Sequence, residues 1–113
     1  MKVIYNKLIP FRGFRAINLL GVVFARKGLY PLSERTINHE AIHTAQMKEM
    51  LYVFFYLWYV VEWIVRLFQY KNSREAYRNI SFEREAYHAE HELHYVKHRK
   101  LFTWVKYLRN GLD

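Results

Sequence analysis

A chain of 113 residues has room for one modest core and not for two. Apolar residues make up 52% and aromatic residues 19%, too many for a disordered chain; with no cysteine, any metal must be held by His, Asp or Glu. The formal charge of +8 suits an acidic surface, but no signature of a nucleic-acid-binding module accompanies the scattered Lys and Arg, so no specific nucleic acid is expected.

Segments 2–8 (KVIYNKL), 14–20 (FRAINLL) and 21–26 (GVVFAR) are short, rich in β-branched or aromatic residues and punctuated by Pro10, Gly13, Gly21 and Gly28, which predicts small strands. Charges interrupt the first twenty residues, leaving no apolar run of signal-peptide length, and the expected location is cytoplasmic. After Pro31 the character changes. Ser33 is a candidate N-cap, and from Glu34 to about Met50 no Gly or Pro stops a helix.

Glu49 to Tyr70 is the most apolar stretch, but its uncharged run from Met50 ends at Val61, before Glu62, with Arg66 four residues further on. That falls short of the roughly 20 residues a spanning helix needs. Tyr52, Tyr56, Tyr59, Glu62, Arg66 and Gln69 recur at helical spacing, which predicts a core helix whose polar stripe, Glu62 included, faces solvent or a cleft. The tyrosines and tryptophans equally suit a helix seated at a membrane surface, so peripheral membrane contact through 49–70 stays open. Residues 71–79 read as a loop. Ser81 is a second candidate N-cap, opening a helix towards the Asn110-Gly111 stop. Its apolar face is Phe82, Ala86, Ala89, Leu93 and Val96, and a change of phase predicts a kink near 97–100. The whole is an α+β fold over 1–113, a small N-terminal sheet followed by three or so helices.

The chemistry lies in TINHEAIHTAQ, residues 36–46, which carries His39, Glu40 and His43 in the order H-E-x-x-H. Histidines four apart share one helix face, so both imidazoles can reach one ion. Glu40 is swung about 100° around the axis, placed as a base for a metal-bound water and not as a ligand. Three fixed residues in a chain with six histidines can arise by accident; the apolar flanks Ile37, Ala41, Ile42, Ala45 and Met47 favour a partly buried site. A catalytic zinc has a third protein ligand and an open position. Candidates are SFEREAY at 81–87 and the cluster His88, His91, His94 and His98. The last three project opposite the apolar face and read as a solvated surface. Glu83 and Glu85 flank that face on its two sides, and the helical projection does not choose between them.

H-E-x-x-H at 39–43, followed some forty residues later by Glu83-Arg84-Glu85-Ala86, resembles the E-x-x-A pattern of gluzincin metallopeptidases. With Gln46, the string HEAIHTAQ resembles small bacterial minimal-gluzincin domains. The resemblance implies a zincin-like domain with a small antiparallel sheet whose edge strand lies beside the active-site helix. It implies Zn2+ held by His39, His43 and Glu83, Glu40 as general base, and a peptide or protein substrate. One departure is Tyr87, where many gluzincins carry an aspartate that orients a ligating histidine; Glu62, Glu90 or Asn79 would have to take its place. Gln46, Tyr77, Tyr87 and His88 are candidates to support the ligands or to stabilise an oxyanion. Two rival readings remain: a binding module that keeps zinc as a staple, and a basic protein of the membrane surface.

Overall fold

In the computed structural model, residues 2–7 and 16–109 are described; the breakers Pro10 and Gly13 and the Asn110-Gly111 stop lie outside them. Strands β1 (Lys2–Asn6), β2 (Ala16–Leu19) and β3 (Val22–Arg26) form one sheet with β3 in the middle, its Val23 and Ala25 fully buried. The fold is α+β as expected, but the sheet is mixed and not wholly antiparallel. β2 runs antiparallel to β3, whereas β1 runs parallel to it, Lys2 opposite Val22 through Asn6 opposite Arg26. The physical difference is connection length. β2 and β3 are joined by the two-residue turn Leu20-Gly21, both at positive φ, as tight hairpins require. β1 is joined to β3 only through the long stretch holding β2, and such a connection permits parallel pairing.

Helix α1 (Glu34–Glu49) begins where Ser33 accepts the Thr36 N–H, and carries Glu34 in its first turn and Lys48 in its last. It ends without Gly or Pro. Leu51 and Tyr52 both take positive φ, the Tyr52 N–H closes on the Met47 carbonyl at 2.8 Å, and the chain turns through 111° into α2 (Val53–Tyr70).

α2 overturns the expected wet edge. Most of its polar stripe turns inwards, with Glu62 and Arg66 only 6% and 5% exposed, Tyr52, Tyr56 and Tyr59 half-buried and Gln69 left outside, while Phe54, Leu57, Val61, Val65 and Phe68 face outwards. The charged members of the stripe can be buried because each finds a partner. Arg66 pairs with Glu62, and Glu62 also accepts the backbone N–H of Ser81 at 2.7 Å and the Ser81 hydroxyl. Tyr56 bonds the Leu20 N–H and the Asn18 carbonyl, tying the hairpin to α2.

The segment read as a loop contains α3 (Ser73–Arg78), capped by Asn72 on the Glu75 N–H. In α4 (Ser81–Ala89) the cap residue is Ile80 and Ser81 is the first helical position; Glu62, from across the core, supplies the oxygen expected of Ser81. The expected long helix breaks earlier than 97–100. Asn38 donates to the carbonyls of Glu90 (2.7 Å) and Glu92 (3.0 Å) and holds 90–94 as a turn, after which come α5 (Tyr95–His98) and a 3-10 helix at Thr103–Leu108. Leu93 and Val96 are therefore exposed instead of continuing the apolar face. Met47, Phe55, Ile80, Phe82 and Trp104 form one core cluster, and Ile42 with Ala86 and Ala89 brings α1 close to α4.

Candidate metal centre

Apolar packing of Ile42 on Ala86 and Ala89 sets α1 against α4 and brings three potential ligand atoms together. His39 Nε2 and His43 Nε2 are 3.1 Å apart, and Glu83 Oε1 lies 3.2 Å from the first and 3.1 Å from the second. Tetrahedral ligands at about 2.0–2.1 Å from a zinc ion stand about 3.3 Å from one another, so the three atoms are spaced for such an ion. All three side chains are buried.

The surroundings decide which way the rings present themselves. His39 Nδ1 is 2.9 Å from Glu90 Oε1, and His43 Nδ1 is 2.8 Å from Gln46 Oε1. The Gln46 amide is oriented by donation from Nε2 to the Phe82 carbonyl and to Glu85 Oε1, both at 3.0 Å, so its oxygen must face the histidine. Acceptors at both Nδ1 atoms keep hydrogen there and turn both Nε2 lone pairs towards Glu83. Two lone pairs and a carboxylate oxygen converging on one point call for a cation. Without a metal a proton serves. Burial opposes charge on His43, but Glu83 outweighs it and raises the ring's pKa to about 9. Burial also works against the Glu83 carboxylate, yet His43 and His39 hold it well below the usual carboxylate range.

Glu83, and not Glu85, stands with the two histidines. Glu85 is fully buried behind Gln46, where it accepts from Arg99 Nε at 2.6 Å and from the Tyr95 hydroxyl at 2.7 Å. Of Glu62, Glu90 and Asn79, Glu90 is the one that reaches a histidine, His39, and Arg35 Nε holds its other oxygen at 2.6 Å. Glu62 instead binds the start of α4, and Asn79 accepts from Arg84. Tyr87, in the aspartate's place, packs edge-on against His39 with ring centroids 4.6 Å apart. Gln46 has the supporting position suggested for it. His88 does not: it is exposed and bonds the Tyr107 hydroxyl at 2.9 Å, because α4 turns it away from α1.

No sequence motif points to a site role for Tyr59, Asn38, Arg35 or Arg99. Tyr59 donates to Glu83 Oε2 at 2.7 Å and so fixes which carboxylate oxygen meets the histidines. Its place on the polar stripe of α2 was the available signal; the other three act through partners at least 14 residues away in sequence.

A cleft of about 970 Å³ opens beside this group, lined by Ala16 of β2, His39, Glu40, Val60, Tyr77 and Tyr87 among others. β2 is at the sheet edge and is fastened to α1 by Asn18, whose Nδ2 donates to the Glu40 carbonyl (3.0 Å) and to Thr44 Oγ1 (2.8 Å). Burial pushes the Glu40 carboxyl up, against His43 and His39 and with help from Glu83. Burial likewise raises the Tyr77 and Tyr87 phenols, whose oxygens are 3.5 Å apart, so both remain O–H donors at neutral pH. Compared with protein-family models, with curated proteins and with solved structures, the chain matches none.

Proposed function

We propose that the protein is a zinc-dependent hydrolase of peptide bonds, with His39, His43 and Glu83 as ligands and Glu40 as general base. The observation that carries the reading is the convergence of two Nε2 lone pairs and one carboxylate oxygen within 3.2 Å, each ring held from behind by an acceptor. A zinc ion at that point would supply a Lewis acid and a bound water with a pKa near 7. Glu40 lines the cleft next to the histidines, and a carboxyl raised by burial is suited to take a proton and pass it to a leaving amine. Tyr77 and Tyr87, kept protonated by burial, are the donors available to a developing oxyanion. An extended peptide laid beside β2 would run past Glu40, since Ala16 and Glu40 line one cleft. The cleft favours catalysis over a staple, because a purely structural zinc site is closed.

The chain as purified should hold about one zinc, lost in His39→Ala. Glu40→Gln should keep zinc and fold while losing cleavage of a peptide library. Turnover unchanged in Glu40→Gln would overturn the mechanism; zinc retained with no cleavage by the native chain would favour the staple.

A further inference from the structure

α2 carries its polarity on the inside. Glu62 and Arg66 are buried in mutual contact, and Glu49, just before the helix, is buried against Arg99. Outside, from Leu51 to Phe68, an uninterrupted band is exposed that holds no charged group; Phe68 is 79% exposed and Trp58 41%. Phe102 extends the band, lining with Leu51, Phe54, Leu57 and Val61 a shallow apolar groove of about 420 Å³, in which the Glu49 carboxylate is neutralised by Arg99. A contiguous apolar surface along an 18-residue helix is far larger than a water-facing surface ordinarily carries.

The charges say what covers it. Exposed cations stand at both ends of the band: Lys48 and Lys100 by the start of α2, Lys71 and Arg74 at its finish, where the single acid of α3 is Glu75. The chain as a whole is at +8. An uncharged, aromatic-rich face flanked by Lys and Arg is the pattern of a helix lying in the headgroup boundary of an anionic bilayer. Among the described residues no single helix is long and apolar enough to cross a membrane, which favours lying over spanning.

We propose that the outward face of α2 seats the protein on an anionic lipid surface, with the helix in the plane of the membrane. Val60 is exposed and also lines the cleft, so the cleft mouth then opens at the lipid boundary. The seat uses none of the ligand residues and requires nothing of the metal.

The test is co-sedimentation of the full chain with phosphatidylcholine vesicles, alone or with about 30 mole per cent phosphatidylglycerol, at about 20 mM and about 500 mM salt. Binding should be at least about tenfold tighter to the anionic vesicles at low salt, and lipid brominated on its chains should quench the native fluorescence but not that of Trp58→Phe. Val61→Glu with Phe68→Glu, both at exposed positions, should weaken binding about tenfold or more with an unchanged circular dichroism spectrum. Lys71→Glu with Arg74→Glu, which reverses the cations at one end, should reduce the anionic preference and leave binding to phosphatidylcholine alone unchanged. Failure to bind either vesicle at low salt would overturn the proposal. So would a stable dimer, dissociated by Val61→Glu, that ignores vesicles and shows a second copy to be the occupant.

Discussion

Gln46 is held by both ends: two acceptors fix its amide nitrogen, and its oxygen is left to orient His43. A side chain of similar size without the amide loses that oxygen together with the two bonds of the nitrogen, and should loosen the ring. Gln46→Met is therefore expected to lower zinc affinity about 10–100-fold while leaving stoichiometry intact, measured by competition with a chromophoric chelator. His43 gives a pH prediction. In the metal-free protein its pKa is about 9 against an ordinary 6.5, so the stability it contributes is fully present below 6.5 and is lost as pH rises through 9. Glu83 is shifted the other way; its contribution is present above its ordinary 4.5 and is lost as pH falls below that. Metal-free protein should accordingly melt highest between about pH 5 and 6.5 and lose stability towards 9. Zinc uptake at pH 7 should release about one proton, read by calorimetry in buffers of different ionisation enthalpy. Uptake with no proton released would show His43 to be neutral beforehand.

Between elements, Glu62 is where α2 meets α4. Its carboxylate receives Arg66, Trp58 Nε1 and the first backbone N–H of α4, so Glu62→Ala leaves a buried guanidinium without its counter-charge, bonded only to Gln69 and the Leu108 carbonyl, and a helix start uncapped. The expected loss is about 3–5 kcal/mol in urea denaturation, only partly recovered in Glu62→Leu with Arg66→Met, which removes the unpaired charge but leaves the Ser81 N–H and Trp58 Nε1–H without their acceptor. A loss below about 1 kcal/mol would mean that water reaches the pair. Helical spacing made the Glu62/Arg66 stripe legible, and the Ser33 cap and the span of α1 were legible too. Which side of α2 is inside was not, because periodicity separates two faces without saying which is buried, and a polar face fully satisfied by its own partners can be the inner one. Asn38, acting on carbonyls more than fifty residues away, ended α4 early, and no local signal near Glu90 announces that. At the site, H-E-x-x-H marked the helix outright. The choice of Glu83 over Glu85 came from resemblance, since it depends on the rotation of α4 against α1, which packing of Ala86 and Ala89 on Ile42 sets.

For the molecule as a whole, the proposed ligands join residues forty or more positions apart, with α2 and α3 in the loop they would close. A metal bound to the folded chain alone stabilises it by about 4 kcal/mol at a thousandfold excess over the dissociation constant. In a domain of this size that corresponds to a rise in Tm on the order of 15 °C. Chelation should remove the rise, and His39→Ala should melt at one temperature with or without zinc; equal melting of the native chain in both conditions would show that zinc does not link α1 to α4. The dense use of α1 has a further consequence. Asn38 holds the turn after α4, His39 and His43 converge with Glu83, Thr44 meets Asn18, Gln46 steers His43, Met47 is core and Glu49 pairs with Arg99. Deleting one residue would rotate everything beyond it by about 100° and shift it by about 1.5 Å, breaking several of these links at once. Divergence in α1 is thus confined to substitution at open positions such as Ile37, and changes in chain length are left to turns such as Gly28-Leu29.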